Sequence, residues 1–71
     1  MKIIVIGLGS MGKRRLRLLS ERNDVELFGI DTQVSRCEEV KEKFGITCFK
    51  SIAEAVEAED IEAAVISTSP L

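Results

Sequence analysis

One short segment constrains this chain more than any other. Gly7-Leu8-Gly9-Ser10-Met11-Gly12 sets glycines at its first, third and sixth positions, directly after the run Lys2–Ile6 and directly before a helical pattern. The run before it is continuously aliphatic from Ile3 to Ile6, which predicts a strand buried on both faces, as in parallel sheets. Beyond Gly12, Leu16 and Leu19 follow after four and seven residues and form the sheet-facing ridge of a helix from about Ser10 to Arg22. Each glycine has its own expected task. Gly7 makes a tight turn, Gly9 lets a pyrophosphate come close to the backbone, and Gly12 lets helix and strand pack closely. The first N–H groups of the helix, with its dipole, then face the anion.

The rest of the chain alternates between the same two patterns. Val25–Ile30 reads as a second strand, with Asp31 at its carboxyl end. Ser35-Arg36-Cys37-Glu38 has the form of a capping box, Cys37, Val40 and Phe44 recur at helical spacing, and Gly45 sits where a C-terminal glycine belongs. Ile46–Phe49 reads as a short third strand. Ser51-Ile52-Ala53-Glu54 repeats the capping-box form and opens a helix with Ile52, Ala55 and Val56 on one face. Ala63–Ile66 reads as a fourth strand, followed by Ser67-Thr68-Ser69-Pro70. The order β-α-β-α-β-α-β with short connections predicts an α/β fold, a parallel sheet with right-handed crossovers. Its expected strand order is 3-2-1-4, with helices on both faces: a partial Rossmann fold.

Composition narrows the chemistry. The chain has 71 residues, no His, two Cys and no Trp or Tyr. That is one domain with a small core. Without His or a cysteine cluster, neither imidazole acid–base chemistry nor a zinc site is expected. The two thiols are not spaced as a redox pair, so Cys37 and Cys48 read as packing residues. Residues 13–22 carry five cations and one acid, against five cations and eleven acids elsewhere. A basic segment on an acidic chain argues against a nucleic-acid surface and is compatible with one local anion site. On the helical wheel Lys13, Arg14 and Arg17 fall on a solvated face, opposite an apolar arc of Met11, Gly12, Leu16, Leu18 and Leu19. Arg15 falls within that arc, either with its stem packed or paired near the loop. No stretch approaches the roughly 20 apolar residues of a membrane span, and the amino-terminal run is too short for a signal peptide. The expected location is cytoplasmic.

The acid completes the motif. Asp31 stands 19 residues after Gly12, near the spacing of the carboxylate that accepts the adenosine ribose hydroxyls. A carboxylate there repels a 2′-phosphate, which favours NAD over NADP, with NADP the second choice. Arg36 has two readings: a contact to adenine or phosphate, or a solvated first-turn cation. The cofactor-binding set expected from the loop is therefore Gly7, Leu8, Gly9, Ser10, Met11, Gly12 and Asp31, with Arg36 beside them.

These residues, with Lys13-Arg14, Phe44-Gly45-Ile46, Ser51-Ile52 and Asp60-Ile61-Glu62-Ala63-Ala64-Val65-Ile66-Ser67-Thr68, resemble the N-terminal domain of the Gfo/Idh/MocA oxidoreductases. The resemblance runs over the whole chain. Two departures stand out: Ser69 separates Thr68 from Pro70, and Arg15 stands where the family commonly has His. The resemblance implies a Rossmann domain for NAD or NADP followed by a substrate-binding α/β domain. It also implies that Ser67, Thr68 and Pro70 approach the nicotinamide half of the dinucleotide. Family members carry a histidine shortly after that proline and a Glu-Lys-Pro whose lysine serves catalysis. Neither is among these residues, so the chain is expected to be the N-terminal part of a dinucleotide-binding domain, without substrate domain or catalytic residues.

Two functions remain open at this point. One is the cofactor-binding portion of a dehydrogenase acting on a sugar, cyclitol or related hydroxyl compound. The other is a non-catalytic nucleotide sensor, like the Rossmann modules that regulate potassium transport. Those tend to have Gly-Asp after the third strand, where this chain has Phe49-Lys50-Ser51. The expected partner is a dinucleotide, with a small-molecule substrate only in a longer protein and with no nucleic acid or membrane. Self-association through the open edge of the fourth strand is a further expectation.

Overall fold

The strand–loop–helix unit forms where the glycines require it, and the remaining elements build outward from it. The computed structural model describes residues 1–67. Strand β1 (Lys2–Ile6) leads to helix α1 (Ser10–Ser20), β2 (Glu26–Ile30), α2 (Val34–Phe44), β3 (Thr47–Phe49), α3 (Ile52–Ala58) and β4 (Ala63–Ile66). The four strands form a parallel sheet in the order β3-β2-β1-β4, the predicted order. Register is in step across the centre: Ile4 lies beside Phe28 and Ala64, and Ile6 beside Ile30 and Ile66.

Side-chain alternation divides the core into two layers. Ile3, Val5 and Leu27 meet Leu8, Leu16 and Val40 on the face covered by α1 and α2. Ile4, Phe28, Ile30 and Phe49 meet Ala55 of α3 on the other. Helices therefore pack on both faces. Phe28 and Phe49 add a tilted ring pair at 6.0 Å between centroids. Gly29 belongs to the α1/α2 layer, where a methyl group would stand 3.1 Å from both Leu8 δ-carbons. The absent side chain is the space that Leu8 fills.

The helix ends show which local signals operate. Gly45 closes α2 in the left-handed region at φ 67°, as expected. Ser51 caps α3, its hydroxyl accepting the Glu54 N–H. The Ser35 capping box does not form. Helix α2 begins two residues earlier, capped at Gln33, because the Asp31 carboxylate accepts the Gln33 N–H and turns the chain ahead of Ser35. The buried arcs are also narrower than the wheel predicts. Met11 and Leu18 of α1 and Ile52 and Val56 of α3 are exposed, while Gly12, Leu16 and Ala55 make the close contacts. A helix resting on a sheet through one glycine or alanine touches it along a single ridge, which leaves flanking apolar residues outside. Strand β4 hydrogen-bonds only to β1 among the described strands, so its other edge is open. No helix among the described residues is long and apolar enough to cross a membrane.

Candidate functional site

Parallel strands deliver their carboxyl ends to one rim, and the predicted residues collect there. A cleft of about 680 Å³ opens between the glycine loop, the end of β2 and the end of β4. Its wall includes Gly7, Gly9, Ser10, Met11, Asp31, Arg36 and Ser67 from the predicted set, together with Arg14 and Thr32. Gly12 lies just beneath. Leu8 is the exception: its side chain is fully buried in the α1/α2 core layer. The expected contacts of Thr68 and Pro70 lie outside the described residues.

The three glycines differ in what holds them. Gly7 has φ 93°, a conformation disfavoured for any residue with a Cβ, and its N–H donates to the Ile30 carbonyl at 2.8 Å. Gly12 is locked by contact: a Cβ there would lie 1.9 Å from the Gly7 carbonyl oxygen. Gly9 is neither strained nor crowded. Its φ is −71°, and a Cβ there would meet only the Arg36 guanidinium at 3.7 Å, an ordinary contact. Nothing within the described protein requires a glycine at that position. What the missing side chain leaves open is backbone at the floor of the cleft.

That floor is electropositive. Gly9 is the N-cap of α1, no side chain caps the helix, and its first turn holds no acid. Peptide dipoles put roughly half a positive charge at such an end. Arg14 and Arg36 add two guanidinium groups to the same wall.

Asp31 is built into the loop as well as lining the cleft. One carboxylate oxygen accepts the Leu8 N–H at 2.8 Å, and the other accepts the Gln33 N–H at 2.8 Å. Arg36 completes the cluster with a contact of 3.5 Å to the oxygen shared with Leu8. The Asp31 side chain is only 6% exposed. Burial works to raise its pKa, yet the donors from Gln33, Leu8 and Arg36 outweigh it and hold the carboxyl below its ordinary 3.8. Asp31 is therefore an anion at neutral pH that ties β2, the glycine loop and α2 together. Arg36 resolves towards an ion pair over the cleft rather than a free solvated cation.

The basic helix is less solvated than its wheel suggests. Lys13 reaches across to Glu39 and links α1 to α2. Arg15 pairs with no acid among the described residues and is only partly exposed. Its guanidinium donates to the Ile66 carbonyl at 2.9 Å and the Ser67 hydroxyl at 3.0 Å, while the Ser67 N–H donates to the Ile6 carbonyl at 2.7 Å. Arg15 thus pins the carboxyl end of β4 beside the loop. Sequence spacing had no way to find that partner, which lies 51 residues away. Arg15→Ala is expected to cost about 1–2 kcal/mol for the two lost bonds. Amide exchange at Ser67 should accelerate more than exchange in β1, which hydrogen-exchange NMR would report.

The comparisons with known proteins follow the same outline. Residues 1–70 match the family described as "Oxidoreductase family, NAD-binding Rossmann fold" (Gfo/Idh/MocA). The chain belongs to this family. Its fold superimposes on myo-inositol 2-dehydrogenase from Lactobacillus plantarum with a TM-score of 0.84 and 25% identity, covering 97% of this chain and 21% of that one. A probable dehydrogenase from Thermotoga maritima gives 0.80 at 28% identity, with 97% and 21% covered. L-tryptophan dehydrogenase from Nostoc punctiforme gives 0.75 at 36% identity, with 93% and 19% covered. The Gfo/Idh/MocA chain described here spans about a fifth of the length of these structures. No protein of curated function matches its sequence. It is a NAD-binding Rossmann domain of the oxidoreductase type, and the match supports the dehydrogenase reading over the sensor reading.

Proposed function

We propose that this domain holds the adenosine and pyrophosphate portion of NAD for a dehydrogenase acting on a sugar, cyclitol or related hydroxyl compound, with residues 1–71 forming the N-terminal part of its cofactor domain. The observation that carries the reading is Gly9. Gly7 and Gly12 have reasons internal to the fold, whereas Gly9 lines the cleft with relaxed backbone, and a side chain there would meet the mobile tip of Arg36 at ordinary contact distance. A site that keeps bare backbone at an uncapped helix N-terminus between two arginines fits a pyrophosphate. In this reading the N–H groups of Gly9, Ser10 and Met11 receive the phosphates, and Arg14 offsets their charge. Gly7 and Gly12 shape the turn, and Leu8 acts through Asp31 rather than on the ligand.

Asp31 supports NAD as the preferred form. Its carboxylate is ionised and fixed, so a 2′-phosphate brought to it meets repulsion, while ribose hydroxyls find an acceptor. Arg36 moderates that preference, since swinging its guanidinium off Asp31 would offer a 2′-phosphate a counter-charge. Ser67, with Thr68 and Pro70 after it, lies towards the nicotinamide side in this assignment. Bound NAD would supply the hydride acceptor. This chain's own contribution is to bind, orient and neutralise, and substrate acid–base groups belong to other parts of a longer protein.

Gly9→Ala tests the assignment cleanly. Stability should change by no more than about 1 kcal/mol, because the entropy lost by the unfolded chain is offset by the poorer fit of alanine at a helix N-cap. NAD affinity should fall by about 1–3 kcal/mol, or roughly 5- to 150-fold, as the methyl group displaces the phosphate. Calorimetric titration of NAD, NADP and ADP-ribose against wild type and variant gives both numbers. Equal affinities would remove Gly9 from the site. A wild-type chain that shows no amide shifts at Gly9, Gly12 or Asp31 with any of the three ligands would refute dinucleotide binding by this domain.

A further inference from the structure

The two cysteines stand 11 residues apart in sequence, on different elements, yet their sulfurs meet. Cys37 lies in the first turns of α2 and Cys48 in the middle of β3. The Cys48 thiol donates to the Cys37 sulfur at 2.7 Å, and the Cys37 thiol donates onward to the Asp31 carbonyl at 3.5 Å. Both residues are free thiols and partly exposed. They form part of the wall of a second cleft, of about 300 Å³, which opens between Val34 and Lys50 and shares Asp31 and Thr32 with the first. A small polar oxidant therefore has a path to the pair.

We propose that Cys37 and Cys48 are a reversible redox modification site, closing to an intramolecular disulfide under hydrogen peroxide and locking α2 to β3 behind the Asp31 rim. The sulfurs are already opposed on adjoining elements, so closure to a bond of about 2.05 Å needs only a small approach. The chemistry balances in two steps. The Cys37 sulfur attacks peroxide, breaking the O–O bond and becoming a sulfenic acid with release of one water. The Cys48 sulfur then displaces the sulfenic oxygen as a second water, with its own thiol proton consumed. Two electrons pass from the thiol pair to one peroxide. Burial, with the bond to Cys37, pushes the Cys48 thiol up to about 12 and keeps it protonated, which leaves the first attack to Cys37. A dithiol reductant reverses the reaction by exchange. The bond also removes the thiol hydrogen that now rests on the Asp31 carbonyl.

Trypsin makes the test direct, because cleavage after Arg36, Lys41, Lys43 and Lys50 places each cysteine on its own methionine-free peptide, 37–41 and 44–50. After peroxide, the two peptides should be recovered joined, two hydrogens lighter than their sum. The protein should remain a monomer on a non-reducing gel and show no free thiol. Its melting temperature should rise on the order of 10 °C and fall back with dithiothreitol. The C37S and C48S variants should show neither the joined peptide nor the shift. Recovery of separate peptides carrying added oxygen, or of a cross-link between two copies, would overturn the proposal. The readout needs no cofactor, so it stands apart from the outcome of the NAD titrations.

Discussion

Gly12→Ala should leave the chain largely unfolded, or folded without a working loop. The added methyl carbon would lie 1.9 Å from the Gly7 carbonyl oxygen and 2.9 Å from its carbonyl carbon. Both obstacles are backbone, so no side-chain rotation relieves them. Helix α1 would have to lift away from β1. Leu16, fully buried one turn further along the same ridge, and Leu8, fully buried beneath the loop, would lose contacts with it. Overpacking alone costs about 1–3 kcal/mol, and lifting a core ridge adds to it. Stability of small domains starts near the low end of about 5–15 kcal/mol, so the remainder is thin. Chemical denaturation followed by circular dichroism should show the midpoint collapse. A variant with wild-type stability would mean that α1 can shift without disturbing the sheet. Set beside Gly9→Ala, the pair separates a glycine the fold requires from one proposed to serve the ligand.

Asp31→Ala should be nearly as damaging, by a different route. It strands the Leu8 and Gln33 N–H groups and leaves Arg36 without its counter-charge at a site where the carboxylate is 6% exposed. The part-buried Leu8 donor costs about 1–3 kcal/mol when unpaired, while water can reach the exposed Gln33 donor, so a loss of about 1–3 kcal/mol is expected. NAD affinity should fall with it. Asp31→Asn keeps one acceptor and the size of the side chain. It should remain folded, lose part of its NAD affinity, and move its NAD-to-NADP preference towards NADP. Acid titration provides an independent check. Because the folded-state pKa is lowered, the stabilisation from Asp31 is fully present above the ordinary 3.8 and disappears as pH falls through the lower folded value. Wild type should therefore lose more stability than Asp31→Asn over that acid range. Parallel curves for the two proteins would contradict the role assigned to the carboxylate.

Legibility in the sequence followed the range of the interaction. Gly45 and Ser51 were readable because a helix end is decided within one turn. The strand order followed from alternation and handedness, and the loop from the spacing of its glycines. Ser35 misled for the opposite reason: the turn at that point belongs to Asp31, whose carboxylate takes the Gln33 N–H first. Lys13 looked solvated because its partner Glu39 sits on another helix. Arg15 looked anomalous on its helix because its acceptors are at the end of β4 and on Ser67 just after it. Cys37 and Cys48 looked unrelated since their meeting requires the turn between α2 and β3 to fold back. For Asp31 the position was legible and the environment was not.

By itself, then, the sequence determined the periodic parts of this protein: which segments are strands, which are helices, where the glycine loop sits and which acid faces it. These rest on backbone geometry that repeats over a few residues. Only the tertiary structure decided that Gly9, alone among the three loop glycines, is neither strained nor crowded by the fold. It also decided that Asp31, expected as an acceptor for the ribose hydroxyls, holds the loop itself through Leu8, and that two distant thiols share one contact. Parallel crossovers gather the carboxyl ends of four strands at one rim. Neighbours there are set by sheet order rather than by distance along the chain.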